Sequence, residues 1–346
     1  MMKLPVRVLL VMLCAAVILA LPFVVSSPNM LNDVKMELMN DGEDEIDFGR
    51  LLFASAFAEE ELEEETMDEG AFASHPEWAL PLDFTVPPAP DQGHYTETGY
   101  EDDSIRVRLE KDQFDEGTTV YIAYIQVADA SQLRTAVGNP EKLGSTRAKE
   151  VSTIAKANNA VIAINGDNYI DKPEKTTFEY RMTQKIRSKQ NRTKDILIID
   201  DVGDFHLFIK SQGIKEFPAQ LKKEGKKLVN AFTFGPALVM DGKLLELDSN
   251  YGYNPGGREP RAAIGQMGPL SYVMVIVQAR DRSGSSGMSH QKLAEYMHGL
   301  GCVQAFNLDG GNSAEMVFGD QIIKGMPTGD ERTLSDIIYF ATSVPE

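Results

Sequence analysis

The chain has 346 residues and a formal charge of −18, from 52 acidic and 34 basic side chains. The excess acid lies between Asn29 and Asp103, where 22 acidic residues face only Lys35 and Arg50. From there to Glu346 the chain carries 30 residues of each sign, so it lacks a basic footprint and we predict no nucleic-acid partner. The two cysteines, one of them in an apolar N-terminal run, exclude a disulfide scaffold.

The N-terminus has the pattern of a secretory signal. Lys3 and Arg7 precede Val8–Val25, which contains no charged residue. Basic residues before an apolar stretch predict a cleaved signal peptide or an uncleaved signal anchor over residues 1–27. About 20 apolar residues are needed to cross a bilayer, so this run of 18 leaves both interpretations open. In either case we expect the rest of the chain to be extracytoplasmic, either secreted or anchored to the cytoplasmic membrane by this segment.

Residues 28–93 have a different composition. Glu59–Glu65 is almost entirely glutamate, and Val86–Pro90 reads V-P-P-A-P. A segment with so few periodic apolar positions cannot bury enough surface to offset the entropy of ordering its backbone. We therefore predict an acidic disordered stalk over residues 28–93 and a folded domain over residues 94–346.

Strand and helix patterns begin after the predicted stalk. The alternating apolar residues of Ile105–Leu109 and the β-branched run Val120–Val127 predict two strands. Apolar spacing predicts a helix over Thr146–Asn158, with Thr146 as its N-terminal cap. The apolar strand Ala160–Ile164 follows and ends abruptly in a polar turn.

The C-terminal half repeats this order of elements. The apolar strand Tyr272–Gln278 precedes a predicted helix over Ser289–Leu300 and a predicted strand over Val303–Leu308. A strand, a helix and a strand in this order predict a crossover that places two strands in parallel. Hairpin-like strands lie between and after these units, at Ile196–Asp200, His206–Lys210, Leu238–Val239 and Asp336–Thr342. We predict an α+β fold, a single domain with a mixed sheet, helices packed on it, and a strand–helix–strand crossover near the C-terminus.

Polar turns directly after two apolar strands are the first candidates for a functional site. Sheets build sites at such strand ends, and glycine there lets the backbone approach a ligand closely. The alternative is a structural turn in which Asn and Asp bond their own backbone. Because both turns follow a buried strand, we favour the functional interpretation. The candidates are Asn165, Gly166 and Asp167 in the first turn and Asn307, Asp309, Gly310, Gly311, Asn312 and Ser313 in the second.

Two further segments have the chemistry of an anion site. A guanidinium in a tight turn matches the oxygens of phosphate or carboxylate, although a surface ion pair explains it equally well. A Gly/Ser loop that ends where a helix begins can offer its backbone amides to an anion, although a flexible linker has the same composition. The candidates are Arg258 and Arg261 in the turn and Asp281, Ser285 and Ser286 in the loop. No histidine or cysteine spacing predicts a metal site.

Five short motifs follow one another in a fixed order. They are N-G-D-N-Y (Asn165–Tyr169), G-P-A-L-V-M-D-G (Gly235–Gly242), R-E-P-R-A-A-I-G (Arg258–Gly265), G-M-S-H-Q-K-L-A (Gly287–Ala294) and N-L-D-G-G-N-S (Asn307–Ser313). In this order and spacing they resemble the phosphodiester glycosidase family, and the resemblance extends from about Tyr95 to the C-terminus. The chain departs from the family pattern at Asp167, Ala262 and Asn312, where Gly, Thr and Gly are common, which leaves the aglycone open.

The resemblance implies a hydrolase that converts a sugar 1-phosphodiester, such as an N-acetylglucosamine 1-phosphodiester, to free sugar and a phosphomonoester. It implies that residues 94–346 are the catalytic domain and that the partner is a glycan or glycosyl phosphate. For this reaction we predict that Asp309 acts as nucleophile or base and that Arg261, with Arg258, contacts the phosphate. Asp167 and Asn165 would hold sugar hydroxyls or polarise water. The other expected substrate-binding residues are Gly166, Asp281, Ser285, Ser286, Asn307, Gly310, Gly311, Asn312 and Ser313, and the alternative catalytic carboxylates are Asp281 and Glu315.

Two other interpretations stay open at the level of sequence. The same turns could bind cell-wall or exopolysaccharide chains without cleaving them, as a non-catalytic module of the cell envelope. We predict no cofactor, with one option: a calcium ion held by Asp309, Asn312 and nearby carbonyl oxygens. The oligomeric state is not predicted.

Overall fold

Twenty strands and three α-helices build the part of the chain that the computed structural model describes. That part comprises residues 72–73, 75–115, 117–144, 148–170, 177–252, 254–279 and 286–345, all within the compact unit Gly70–Glu346. The predicted signal segment and most of the predicted stalk lie outside the described residues. No helix in the ranges just given is both long and apolar enough to cross a bilayer.

The largest sheet has eight strands. They are β1 (Gly99–Glu101), β2 (Ile105–Phe114), β3 (Thr118–Val127), β12 (Ala237–Met240), β13 (Lys243–Leu244), β14 (Arg261–Gly268), β15 (Ser271–Val277) and β16 (Gln304–Asn307). Their order across the sheet is β1-β2-β3-β15-β14-β16-β12-β13.

Two five-stranded sheets complete the main architecture. One contains β7 (Phe178–Arg181), β8 (Gln184–Ser188), β9 (Ile196–Asp200), β10 (Phe205–Phe208) and β11 (Leu228–Phe232), in the order β10-β9-β11-β7-β8. The other contains β4 (Leu133–Val137), β6 (Ile162–Asn165), β17 (Glu315–Phe318), β18 (Gln321–Lys324) and β20 (Asp336–Phe340), in the order β18-β17-β6-β20-β4. A short pair, β5 (Lys149–Glu150) and β19 (Thr333–Leu334), lies beside them.

The three large sheets share one central core, and a helix covers the outer side of each. In β15, Met274 faces the central core while its neighbour Val275 packs with residues of α3 (His290–Gly299). In the same way, α1 (Val151–Ala157) covers the sheet of β6, and α2 (Phe217–Lys223) covers the sheet of β9. Successive strand residues point to opposite faces, so a strand buried on both faces needs an unbroken apolar run. This explains the apolar strands recognised in the sequence.

The predicted mixed sheet is wrong. Every pairing between the named strands of the described ranges is antiparallel. The segment through α3 does join two strands of the same direction, β15 and β16, but both pair antiparallel with β14, which lies between them. An unbroken apolar run reports burial of both faces and carries no information on strand direction.

The predicted helices differ in accuracy. The α3 helix matches its prediction closely, and the Ser289 hydroxyl caps it by accepting from the Lys292 amide at 3.2 Å. The first helix starts at Val151, five residues later than predicted, because Lys149 and Glu150 form the edge pair β5 with Thr333 and Leu334. A pairing partner so far along the chain leaves no signal in the local pattern.

The predicted stalk extends too far toward the C-terminus. The buried Arg134 guanidinium donates to the carbonyl oxygens of Pro81 at 2.9 Å, Asp83 at 2.7 Å and Thr85 at 3.0 Å. The Asn159 amide also donates to the Pro87 carbonyl at 2.9 Å. This stretch is therefore held through its carbonyl groups, and it belongs to the folded unit.

Candidate active site

One buried amide joins the two polar turns that the sequence singled out. At the end of β6, the Asn165 Nδ2 donates to the carbonyl oxygens of Gly166 at 2.9 Å and Asp309 at 2.8 Å. Its Oδ1 accepts from the Glu315 amide at 3.0 Å, and the Asp309 amide donates to the Gly166 carbonyl at 3.3 Å. Both amide hydrogens of Asn165 are thus used inside the protein. The structure makes Asn165 a residue that positions the turns, instead of the predicted ligand of sugar hydroxyls.

The second turn is fixed on its other side by Asn307 and two glycines. The Asn307 Nδ2 donates to the Gly235 carbonyl at 2.8 Å, which ties the turn to the G-P-A-L-V-M-D-G motif. The Gly311 amide donates to the Pro260 carbonyl at 2.9 Å. A Cβ on Gly310 would lie 2.8 Å from that same carbonyl oxygen, which is too close for any other residue. The turn therefore needs glycine in order to pack on the R-E-P-R-A-A-I-G segment.

The residues of the second turn differ in their exposure to solvent. Asp309 is half-buried, and Asn312 is exposed. Ser313 is buried, and its hydroxyl accepts from the Arg332 guanidinium at 2.8 Å. Asp309 is thus a predicted catalytic carboxylate whose side chain is partly open to solvent at the meeting point of the two turns.

Asp167, the other predicted catalytic carboxylate, is fully buried. Its Oδ1 pairs with the Arg181 Nη2 at 2.6 Å, and its Oδ2 accepts from the Thr233 amide at 2.9 Å. Both oxygens are therefore occupied within the protein and cannot contact a sugar. The predicted substrate contact of Asp167 is corrected to a positioning role beneath the first turn.

Arg181 also contacts two further carboxyl groups, which were not predicted from the sequence. Asp336 Oδ2 lies 2.9 Å from its Nε and 2.8 Å from its Nη2, and Glu179 Oε2 lies 3.2 Å from its Nη1. All four side chains are fully buried. A Cβ on Gly166 would collide with the Asp336 carboxylate, so the glycine of N-G-D-N-Y is required by this cluster. We call these four residues (Asp167, Glu179, Arg181 and Asp336) the Arg181 cluster.

The Arg181 cluster has three acids for one base, and its pKa values reflect that imbalance. Burial and the neighbouring Asp167 carboxylate raise the pKa of Glu179 well above its ordinary value. Burial likewise raises the pKa of Asp336 to about 6, although Arg181 opposes the shift. The Arg181 pKa is raised, because its three carboxyl neighbours outweigh the burial that would lower it. Burial therefore favours the protonated form of Glu179.

Arg261 is held by carbonyl groups and a histidine. Its Nε donates to the Met288 carbonyl at 2.9 Å, and its Nη2 donates to the carbonyls of Asn254 at 2.8 Å and Gly257 at 3.0 Å. Its Nη1 donates to the His290 Nε2 at 2.7 Å. Four of the five N–H groups of a guanidinium are thus engaged, which leaves too few for a bidentate phosphate contact. The predicted phosphate role of Arg261 is corrected to positioning of the surrounding loops.

Burial and the contact with Arg261 determine the charge state of His290. Burial, helped by the charges of Arg261 and Lys194, lowers the pKa of His290 to about 3. Its Nε2 accepts from Arg261, so the neutral ring carries its proton on Nδ1. Among the described residues, Nδ1 has no hydrogen-bond partner. Burial also lowers the pKa of Arg261 to about 10.

Arg258 and Ser286, two of the predicted anion-binding residues, both contact the Thr118 hydroxyl. The exposed Arg258 Nη2 lies 3.2 Å from the Thr118 hydroxyl and 3.6 Å from Asp115 Oδ2. The Ser286 hydroxyl lies 3.1 Å from the same Thr118 hydroxyl. The other loop candidates, Asp281 and Ser285, lie outside the described residues.

The alternative carboxylate Glu315 faces a different part of the molecule. Burial, followed by the neighbouring Glu331, raises the pKa of Glu315 to about 9. Although burial acts to raise it, hydrogen bonds from Glu315 and Ser152 lower the pKa of Glu331. Glu331 accepts from the amide and the hydroxyl of Ser152, the second residue of α1, at 3.2 and 2.9 Å. Glu315 thus points toward α1, on the sheet face opposite the central core.

The described part of the chain shows no group of three or more His, Cys, Asp or Glu side chains arranged to hold a metal ion. The three acids of the Arg181 cluster surround a guanidinium instead.

Hydrogen bonds therefore link the five motif segments into one site. The chain belongs to the phosphodiester glycosidase family, whose model matches residues 158–341. This confirms the resemblance noted in the sequence. Family membership also supports a hydrolase as the class of protein.

Two relatives illustrate the breadth of the family. An SPbeta prophage-derived uncharacterized protein of Bacillus subtilis, YomE, is 26% identical over 199 residues, which cover 56% of this chain and 30% of the relative. The chain thus matches less than a third of that protein's length. The catalytic domain of zebrafish N-acetylglucosamine-1-phosphodiester alpha-N-acetylglucosaminidase, auto-inhibited by its pro-peptide, has a similar fold. The TM-score is 0.52 at 15% identity, with 74% of this chain and 87% of that chain covered.

Proposed function

We propose that this protein hydrolyses a sugar 1-phosphodiester, of the N-acetylglucosamine 1-phosphodiester type, outside the cytoplasmic membrane. The observation that carries the proposal is the convergence of the five motif segments around the half-buried Asp309. Membership of the phosphodiester glycosidase family supports the reaction class. The basic and apolar pattern of residues 1–27 supports the location.

The reaction adds water across the bond between the anomeric carbon and the bridging oxygen. The carbon–oxygen bond breaks, the oxygen leaves with the phosphoryl group, and the products are free sugar and a phosphomonoester. A phosphate leaving group departs as a weakly basic anion, so it needs little help from a strong general acid. This fits a site whose predicted catalytic carboxylate, Asp309, is half-buried.

We assign the catalytic role to Asp309. As a base it accepts a proton from the attacking water while the water oxygen bonds to the anomeric carbon. As a nucleophile its carboxylate bonds to that carbon first, and water then releases the sugar. Arg258, Ser286, Asn312 and the backbone amide of Gly310 are the proposed substrate contacts, whereas the Gly311 amide already donates to the Pro260 carbonyl. Asn165, Asn307, Asp167, Ser313 and Arg261 position them.

The test uses the purified full-length protein with two substrates. An N-acetylglucosamine 1-phosphodiester and an aryl N-acetylglucosaminide are incubated with it, and free sugar is assayed. We expect release from the phosphodiester only. Asp309→Asn should lower kcat by about 10²–10⁴, the usual contribution of a base or nucleophile, with the fold unchanged by circular dichroism. Asp320→Asn, which changes an exposed acid elsewhere, is the matched control and should keep full activity.

Two results would contradict the proposal. If the folded protein releases no sugar from any glycosyl phosphodiester yet binds glycan, the non-catalytic binding module is the better description. If sugar is released at an unchanged rate by Asp309→Asn, the catalytic role passes to another carboxylate.

A further inference from the structure

A cationic pocket lies next to the candidate active site. Its volume is about 430 Å³, in the range of small-molecule sites. Its lining includes Arg192, Lys194 and Lys210, against Asp248 as the opposing charge. Lys210 Nζ lies 3.9 Å from the Asp248 carboxylate, so this exposed pair partly neutralises itself. The wall formed by Arg192 and Lys194 is therefore positive.

Lys194 is the buried member of this pocket, with 6% of its surface exposed. Its ammonium lies 5.0 Å from the centre of the Tyr251 ring and 5.5 Å from that of Phe234. It also lies 3.5 Å from the Phe234 carbonyl oxygen. Aromatic faces favour a cation by electrostatic attraction, which holds the ammonium in place at the pocket.

The nearest buried carboxylate, Asp195, supports the pocket wall. Its Oδ1 accepts from the Lys210 amide at 2.8 Å, and its Oδ2 accepts from the Ala237 amide at 3.0 Å. Its own amide donates to the Tyr251 hydroxyl at 2.8 Å. Asp195 thus fixes three segments of the wall through backbone contacts.

The pocket and the Asp309 turn share a wall segment. The Tyr251 hydroxyl donates to the Phe234 carbonyl at 3.0 Å, and the next carbonyl, that of Gly235, accepts from Asn307, two residues before Asp309. The Lys194 charge also helps to lower the pKa of His290, which is the partner of Arg261. The pocket and the Asp309 turn are therefore connected through Phe234 and Gly235.

The engagement of Arg261 makes this pocket important for the reaction. A substrate phosphate needs cationic donors, and four of the five N–H groups of Arg261 already donate hydrogen bonds within the protein. Lysine is a common phosphate ligand, and arginine binds phosphate through its fork of donors. We propose that the pocket binds a phosphate group of the substrate, with Lys194 and Arg192 as its cationic ligands. The inference rests on the proposed function and deepens it by naming the residues that recognise phosphate.

Binding without turnover tests the pocket by itself. Titration calorimetry with inorganic phosphate and with a sugar 1-phosphate is carried out on the full-length protein. Lys194→Met keeps the buried aliphatic stem, and Arg192→Ala changes an exposed side chain that the fold does not need. We expect each to weaken phosphate binding by about tenfold or more, the usual loss when a charged hydrogen bond is removed. Lys223→Gln, at an exposed lysine on α2, is the matched control and should bind like the wild type.

The experiments distinguish failure of the pocket proposal from failure of the proposed function. If the wild type binds no phosphate, or if Arg192→Ala binds it unchanged, the pocket proposal is overturned, even where Lys194→Met fails to fold. If phosphate binding depends on Lys194 while no diester is hydrolysed, the pocket stands and the proposed function fails.

Kinetics then distinguish two sources of the phosphate. One substrate is a methyl phosphodiester of N-acetylglucosamine, and the other is a glycan with two successive phosphodiesters. If Lys194→Met raises KM for both substrates, the pocket holds the scissile phosphate. If it raises KM only for the second, the pocket holds the next phosphate along the chain. An unchanged KM for both overturns the proposal.

Discussion

Arg181 and Arg261 are both buried at the candidate site, but the protein stabilises their charges in opposite ways. Arg181 is surrounded by the carboxyl groups of Asp167, Glu179 and Asp336. Arg261 donates to three backbone carbonyls and to the neutral ring of His290. Consequently the pKa of Arg181 is raised, whereas burial lowers that of Arg261 to about 10.

The difference shows how charge burial relates to function. The Arg181 cluster joins the first polar turn to β7 and β20, so it fixes elements of the sheets. Arg261 joins the partly exposed turn at residues 254–257 and the buried residues Met288 and His290 to the start of β14. Removing the Arg181 charge leaves buried carboxylates without a counter-charge. Removing Arg261 frees carbonyl groups, and those in partly exposed turns can form hydrogen bonds with water instead.

Removing each arginine should give the largest difference. Arg181→Met should lower the free energy of unfolding by about 3–5 kcal/mol, since the buried Asp167 and Asp336 carboxylates lose their counter-charge. Arg261→Met should cost only about 2 kcal/mol, because the freed carbonyls of Asn254 and Gly257 lie in partly exposed turns. Urea denaturation of each variant measures both values.

The control for this pair is Arg108→Met, which removes a surface ion pair with Glu110 and should cost less than about 0.5 kcal/mol. Equal losses for Arg181→Met and Arg261→Met would contradict the proposed contrast. So would a smaller loss for Arg181→Met.

The two arginine sites should also have opposite pH dependence between about pH 4 and 6. The pKa of His290 is lowered to about 3 by burial, so its contribution is present above the unfolded pKa near 6.5 and is lost as pH falls toward 3. The pKa of Asp336 is raised to about 6, so its contribution is present below the unfolded pKa near 3.8 and is lost as pH rises through 6. Stability therefore rises with pH through His290 and falls through Asp336.

The measurement is urea denaturation at several pH values for the wild type, His290→Asn and Asp336→Asn. The stability difference between the wild type and His290→Asn should increase with pH, by at most about 1.4 kcal/mol per unit. The difference between the wild type and Asp336→Asn should decrease. Two slopes of the same sign would show that one of the groups has the wrong charge state here.

The smallest effect concerns the proton within the Arg181 cluster. Glu179 has a raised pKa, so Glu179→Gln matches the charge and shape of its favoured protonated form and should cost less than about 1 kcal/mol. Asp167→Asn should cost more, about 2–3 kcal/mol, because an amide NH2 replaces an oxygen that accepts from Arg181 or Thr233. Thermal unfolding of the two variants checks the order, and a reversal would place the proton on a different carboxyl group.

The local pattern of the sequence was enough for several elements. The predicted strand Val120–Val127 lies within β3, and the predicted helix Ser289–Leu300 contains α3. Apolar periodicity and a capping serine depend on neighbours a few residues away, so they can be recognised without the fold. The ordered motifs, read together, also led to the family that the comparison shows.

The partners of the candidate residues could not be predicted in this way. Asp167 and Arg261 were both recognised, but each was expected to contact substrate and each is occupied within the protein. Arg181 meets Asp336 across 155 residues of chain. No spacing rule relates two residues so far apart.

The sequence by itself determined which strands are apolar on both faces, where polar turns interrupt them, and which family the motifs define. Only the tertiary structure decided that the pairings between the named strands of the described residues are antiparallel, that Asn165 contacts both turns, and that Lys194 lines a pocket with Tyr251. The physical reason is that apolar burial and capping act along the chain. Strand direction, the pairing of buried charges and the lining of a pocket depend on which distant segments pack together.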